Sequence, residues 1–361
     1  MLRVILQPYY FWEGHYKKYC DSLSSYDSKV IICSKKNSKN FIKINPIFFN
    51  YNSNILIYSA SRIFNSFQSI IYLLRNFYFK KKIFIHFLEF EPISKIFILF
   101  LNIFFRQKFI FTIHATRLIK DITILSLLLF FIQRFFFLFS LFLSNFSTCR
   151  FVVHNKENKI FLQKLIFKKR IFLLEYPCDE VLKKKKIFNK IDKIKILIFG
   201  QFRRDKGISR FFKNNNIDEF KITFAGKFID LKLLAELRSN KNFIIINKYI
   251  SDKYLSKLIL SHDFVMLPYD KKYIGSVGPL KVSLSHGCPV IVSNIEILRN
   301  FVMKYKVGII FNNNSSMNFI KNINKKTYRL LSNNCFDYAI NNNWSNFLEK
   351  HNCTVYRSFY N

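Results

Sequence analysis

The feature that most constrains this chain is the regular return of short apolar runs separated by stretches of helical spacing. In the second half the runs are ILIFG (196–200), KITFAG (221–226), FIIIN (243–247), FVMLP (264–268) and PVIVS (289–293), at intervals of about 20–25 residues. Each is too short for a helix, is rich in Ile, Val and Phe, and closes near Gly, Pro or Asn. A strand buried on both faces reads as such a run, and helices between successive strands imply a parallel sheet. The first half repeats the pattern. RVILQ at the start, KVIICS (29–34), NILIYS (54–59), IFIHFL (83–88), FIFTI (109–113) and FVV (151–153) read as strands, with helices over 92–106 and 155–167. At 361 residues the chain exceeds what one hydrophobic core serves, which predicts two doubly wound α/β domains. The charged run KKKKIFNKIDK (183–193) carries no hydrophobic pattern and divides them, giving expected domains 1–185 and 186–361, with the last helix around Trp344 packing back across the body.

Open parallel sheets bind ligands outside the carboxyl ends of their strands. Charge indicates what kind of ligand: 58 Lys and Arg stand against 22 Asp and Glu, a formal net charge of +36. Such a surface favours nucleic acid, anionic lipid headgroups or phosphorylated small molecules. A coding bias toward AT-rich codons also enriches Lys, Ile, Asn and the 45 Phe, so aromatic count alone carries no argument. The basic residues are dispersed, not striped, and no recognition helix or RNP-type motif accompanies them, so nucleic acid is a remote alternative. Seven scattered Cys without a CxxC pair, in a chain with no signal-peptide pattern, point to reduced thiols in the cytosol. Residues 122–146 are almost wholly apolar. Gln133 and Arg134 fall near the middle, where a charge costs about 2.5–3.5 kcal/mol in a bilayer. The segment reads as a pair of buried or membrane-lying helices in preference to a span, with peripheral attachment to an anionic membrane surface expected.

Two loops carry the chemistry. In FGQFRRDKG (199–207), Gly200 permits a turn after a strand, and Arg203, Arg204 and Lys206 gather ahead of a helix starting near Gly207. Cations beside a helix N-terminus suit a diphosphate, because backbone N–H groups and the helix dipole add to their charge. A solvated basic turn is the competing reading. In YDKKYIGSVGPLKVSLSHG (269–287), Gly275 and Gly278 loosen a loop, Pro279 opens a short helix and Gly287 closes it. Ser276, Val277 and Gly278 could offer backbone donors to phosphate there. Two such loops converging on one crevice make a stronger signal than either alone.

FGxxRxxKG, a strand ending in Ala225–Gly226, HDFVMLPY (262–269) and SVGPLKVSLSHGCPVIVS together resemble the C-terminal domain of GT-B glycosyltransferases. The likeness is greatest to the family 4 transferases that build bacterial surface polysaccharides such as capsule, O-antigen and exopolysaccharide. It runs from about 195 to 311, and more loosely through GHY (14–16), HFLEFEP (86–92), TIHATR (112–117) and FVVHN (151–155). The resemblance implies transfer of a sugar, of the hexosyltransferase class, from a nucleotide-diphosphate sugar to a glycan acceptor. The acceptor would be lipid-linked, and the enzyme cytoplasmic and peripheral to the inner membrane face. Arg203 and Lys206 would hold the diphosphate and stabilise the leaving nucleotide. Gly200, Gly226, Ser276, Gly278 and Leu280 would line the donor site, and Gly14 would let the first turn of the N-terminal domain approach it. His114 would stand beside the sugar as a catalytic residue, and His15 is a second cleft candidate, on the acceptor side. Glu89, Glu91 and Arg117 are candidates for the acceptor side; the two carboxylates could bind hydroxyls, act as a base, or simply cap and balance nearby Lys. His154 and His286 read as structural. No paired acidic motif suggests a metal, and the related enzymes use loop cations in its place.

One departure stands out. Many family 4 enzymes carry a Glu-x7-Glu pair whose second member binds the ribose; Ile274 and Val282 occupy those positions here. That opens the alternative of a catalytically inactive homologue serving as a partner subunit.

Overall fold

The computed structural model describes residues 2–8, 15–24, 28–33, 41–46, 55–79, 83–88, 91–114, 124–179, 181, 188, 193–202, 206–213, 220–270, 273, 278–311, 320 and 322–360. The chain forms two compact units, Met1–Glu175 with Leu348–Asn361, and Tyr176–Phe347.

Among the described residues the first unit holds seven parallel strands: β1 (Leu2–Gln7), β2 (Ser28–Cys33), β3 (Ile42–Ile44), β4 (Ile83–Phe87), β5 (Lys108–Ile113), β6 (Cys149–Val153) and β7 (Ile171–Leu173). They lie in the order β3-β2-β1-β4-β5-β6-β7, so the winding reverses between β1 and β4. Helices α1 (His15–Ser24), α2 (Ile55–Leu73), α3 (Pro92–Phe105), α4 (Ile124–Ser144) and α5 (Lys156–Gln163) make the crossovers. Phe87, Phe111 and Phe151, on adjacent strands, stack at 4.7 and 5.8 Å between ring centres, so part of the Phe excess builds the core.

Two elements differ from the sequence reading. NILIYS begins the 19-residue helix α2, not a strand. A short apolar run does not by itself separate buried strand from buried helix, and here SRIFNSFQSIIYL continues it at helical spacing. Residues 124–144 form one helix instead of a pair.

Among the described residues the second unit has six parallel strands: β8 (Ile194–Phe199), β9 (Phe220–Ala225), β10 (Phe243–Ile246), β11 (Phe264–Leu267), β12 (Val290–Ser293) and β13 (Gly308–Phe311). Their order is β10-β9-β8-β11-β12-β13, which reverses between β8 and β11. Its described helices are α6 (Ile208–Lys213), α7 (Leu231–Arg238), α8 (Asp252–Ser261), α9 (Gly278–Ser285), α10 (Glu296–Tyr305) and α11 (Lys325–Asn341), and α12 (Trp344–His351) begins in this unit and ends in the first. Asp230, Ser251 and Asn324 cap α7, α8 and α11 by accepting from first-turn backbone N–H groups.

The unit limits differ from the expected 1–185 and 186–361, chiefly because the C-terminal tail belongs to the first unit. Arg3 Nη1 donates to Asn352 Oδ1 at 2.9 Å, Arg150 Nη2 donates to the Ser358 carbonyl at 2.7 Å, and Tyr356 sits edge-on to Phe84 at 5.0 Å. The tail's aromatic residues thus cover Phe84, while its polar groups engage cations from β1 and β6.

Candidate functional site

In an open parallel sheet the binding crevice lies at the carboxyl ends of the strands flanking the reversal of winding. In the second unit those strands are β8 and β11, and the turns leaving them are the two singled out by charge and glycine content.

Backbone packing brings these turns together. Gly200, immediately after β8, has φ +100°, a conformation that L side chains rarely adopt. A Cβ built there would lie 3.1 Å from Lys206 Nζ and 3.9 Å from Pro279 Cγ. The ammonium and the first turn of α9 therefore approach one point at the tip of β8. Gly226, after β9, has φ +147°, and a Cβ there would meet the Gly200 carbonyl oxygen at 2.1 Å. Gly207 has φ +66°, and a Cβ there would meet the Pro268 carbonyl oxygen at 2.3 Å. Three strand tips are thus packed backbone to backbone, and only glycine fits at these approaches.

Lys206 is 6% exposed. Its Nζ donates to the Phe199 carbonyl at 2.6 Å and lies 5.1 and 5.9 Å from the ring centres of Phe202 and Tyr269. The bond fixes the charge at the end of the strand. Phe202 is held in turn: its N–H donates to the Lys227 carbonyl, its carbonyl accepts from Ile229, and its ring stacks on Phe228 at 4.1 Å. From the other side, Ser293 Oγ donates to the Tyr269 carbonyl at 2.7 Å, securing the turn after β11.

Helix α9 opens with Gly278 exposed, and a Cβ added there would find no heavy atom within 4 Å. First-turn N–H groups of a helix have no intrahelical partner, and they carry the positive end of its dipole. Leu280 turns its side chain into the core, leaving its backbone as the part that can face a ligand. Val282 is half-buried on the same helix. The geometry joins a fixed ammonium, a helix N-terminus and open space above Gly278, an arrangement suited to a phosphate chain.

Arg203, Arg204, Ser276, Ile274, Gly14, Glu89 and Arg117 lie outside the described residues. His15 is the first residue of α1, and its side chain also lies outside them.

His114 and Glu91 belong to the first unit. His114 follows β5, half-buried, with its ring 5.0 Å from that of His154 and edge-on to Tyr19 at 5.9 Å. Asn158 Nδ2 donates to its carbonyl at 3.2 Å. His154 Nδ1 and the Leu174 carbonyl share a 2.8 Å bond. Glu91 is the buried N-cap of α3. Its Oε2 accepts from Ile93 N at 2.8 Å and Ser94 N at 3.1 Å. Burial raises its carboxyl above the usual range, partly offset by the Ser94 N–H. Pro92 was the legible signal, since proline at the first helical position marks the preceding residue as the cap.

Sequence reasoning did not single out Tyr269 and Phe202, which flank Lys206, or the buried chain beneath His114. There His86 Nε2 and Thr112 Oγ1 share a 2.8 Å bond, and His86 stacks on His351 at 5.1 Å. Among the described residues no group of three His, Cys, Asp or Glu is placed to hold a metal ion.

Comparison with known proteins bears on the fold and on the second unit. Residues 180–334 match the family model "Glycosyl transferases group 1". Among solved structures, sucrose-phosphate synthase from Thermosynechococcus elongatus is similar over 99% of both chains, with TM-score 0.72 at 14% identity. WaaG, a glycosyltransferase involved in lipopolysaccharide biosynthesis, is similar over 98% of this chain and 100% of its own, with TM-score 0.63 at 11% identity. Anabaena HepE in complex with UDP-glucose is similar over 99% of both chains, with TM-score 0.68 at 10% identity. A search of curated protein sequences finds no match.

Proposed function

We propose that this chain, a glycosyltransferase of the GT-B fold with a glycosyl transferases group 1 domain at residues 180–334, moves a sugar from a nucleotide-diphosphate donor to a lipid-linked glycan during assembly of a bacterial surface polysaccharide. The observation that carries the reading is the convergence of Lys206, Gly200 and the start of α9 at the reversal point of the second sheet. In transfer, the bond between the sugar's anomeric carbon and the donor phosphate oxygen breaks, and the nucleoside diphosphate leaves with the electron pair. The acceptor hydroxyl forms the new bond and gives up its proton. Charge grows on the leaving diphosphate, where preorganised cations and backbone donors lower the barrier most. Lys206 and the α9 N-terminus would supply them, with Arg203 and Ser276 completing the grip. His114 would sit on the sugar side. HepE's complex with UDP-glucose and WaaG's part in lipopolysaccharide biosynthesis are properties of those proteins that favour this donor chemistry and this pathway class. The lipid-linked acceptor puts the enzyme at the inner face of the cell membrane.

A second reading has its own observation. Val282 offers no side-chain acceptor to a ribose, as expected of an inactive homologue that serves as a partner subunit. One experiment separates them. The isolated full chain is screened against nucleotide sugars for thermal stabilisation, then assayed for donor hydrolysis and transfer, beside Lys206→Ala. The transferase reading expects a stabilising donor, turnover, and a loss in the variant of about 1.5–3 kcal/mol of donor binding. Turnover by the isolated chain excludes the inactive homologue, donor binding without turnover favours it, and absence of any binding overturns the transferase reading.

A further inference from the structure

We propose that the outward face of α4, with the hollow at its C-terminal end, docks this chain on an anionic lipid bilayer. The surface stands independently of the transfer reaction.

Helix α4 has two faces. The inner one packs on its own unit: Gln133 Nε2 donates to Ser59 Oγ at 3.3 Å, Arg134 lies 4.9 Å from the ring centre of Phe161, and Ser140, Leu141 and Ser144 are buried. The polar pair that breaks the apolar run is therefore turned inward. The outer face carries Leu128, Phe131, Phe135, Leu138, Phe139 and Phe142, all exposed, with Phe135 at 64%. At 3.6 residues per turn these positions fall within an arc of about 120°, a single stripe along the helix. Neighbouring α3 extends it with exposed Phe97, Phe100 and Phe104. Half the area of six such side chains comes to roughly 600 Å², the upper end of what a soluble monomer leaves in contact with water.

Charge selects the occupant. At the C-terminal end of α4 a hollow of about 640 Å³ is rimmed by Phe142, Phe146 and Phe167 together with Lys164 and Lys168. The three rings and both lysines are exposed. Neither α3 nor α4 contains an acidic residue. A stripe of phenyl rings edged by uncompensated ammonium groups matches a surface whose apolar interior lies just beneath a plane of phosphate. Among the described residues no helix is long and apolar enough to cross a membrane. With one face committed to its own unit, α4 can lie in the interface plane instead.

The test is flotation of the full chain with vesicles of phosphatidylcholine alone and of phosphatidylcholine with phosphatidylglycerol, at physiological salt. The wild type floats with the phosphatidylglycerol vesicles. Phe135→Glu combined with Phe139→Glu lowers partitioning about a hundredfold. Lys164→Glu combined with Lys168→Glu removes the preference for the anionic vesicles. Leu330→Glu, at an exposed apolar position of α11, changes nothing. The proposal is overturned if the wild type ignores anionic vesicles, or if the Phe variant floats like the wild type. It is also overturned if light scattering shows a lipid-free dimer that the Phe variant splits while vesicles go unbound, since a second copy would then own the face. Circular dichroism of each variant confirms that the fold is retained. A chain that floats but transfers no sugar sinks the proposed activity and leaves this surface standing.

Discussion

Gly278→Ala separates a donor role from a folding role more cleanly than any change to a charged residue. The added methyl meets no heavy atom within 4 Å, and Gly278 is not in a left-handed conformation. The space accepts it, and because Gly278 opens the helix ahead of Pro279 the gain of an interior glycine-to-alanine change is offset, leaving stability within about 1 kcal/mol of the wild type. For a unit of this size that keeps Tm within about 4 °C. The same empty space is where the proposed site puts the distal phosphate or the sugar. A methyl there pushes the ligand off the first-turn N–H groups. Losing one hydrogen bond to a charged group costs about 1.5–3 kcal/mol, or about 10–150-fold in affinity. The assay is calorimetric titration of the stabilising nucleotide sugar into both proteins, alongside their melting curves. The expected result pairs a nearly unchanged Tm with weakened donor binding. Unchanged affinity at an unchanged fold would refute the placement of the donor over α9.

Two further outcomes follow from packing and burial. Gly226→Ala forces a Cβ against the Gly200 carbonyl and into a backbone region nearly reserved for glycine; about 1–3 kcal/mol of strain alone should lower Tm by several degrees and weaken donor binding with it, and an unchanged Tm would show that the strand tips are not packed as described. In the first unit, burial, with Arg3 and His154 nearby, pushes the His351 imidazole down to about 3, and burial next to His351 and His154 holds His86 well below its ordinary value. The unfolded chain takes up protons on these groups below about pH 6.5 while the folded chain does not, so stability falls as pH drops from there toward 3. Urea unfolding across that range should show the slope, and His351→Phe should flatten it; an identical slope in the variant would place the acid sensitivity elsewhere.

The second unit was legible because four of its five anticipated strands are buried almost throughout, so sequence pattern and environment coincide; the fifth, β10, lies at the sheet edge with Ile244 exposed, and its apolar run alone marked it. Gly200 was legible as a turn, Gly207 as the start of a helix and Gly226 as the end of a strand, and the structure supplies the reason each must be glycine. The first unit was less so. NILIYS reads as a strand until the apolar residues after Ser59 are followed at helical spacing into α2. The strands Ile42–Ile44 and Ile171–Leu173 are three residues long, too short to show alternation. Leu280 was placed in the donor site by its position, whereas the turn of α9 points its side chain into the core. Tyr269 and Phe202 escaped notice because in so Phe-rich a chain an aromatic residue carries no signal until its neighbour is known to be a buried ammonium. The C-terminal tail's return to the first unit rests on contacts with residues more than two hundred positions away, which no local pattern announces.

The central claim is that the strand tips around Gly200 and Lys206, with the start of α9, hold the donor's diphosphate. A crystal structure of the full chain with the nucleoside diphosphate that stabilises it most tests this directly. The account predicts the distal phosphate within hydrogen-bonding reach of Lys206 Nζ and the first-turn N–H groups of α9. Clear density for the nucleotide at any other place, with that crevice filled by solvent, would contradict it.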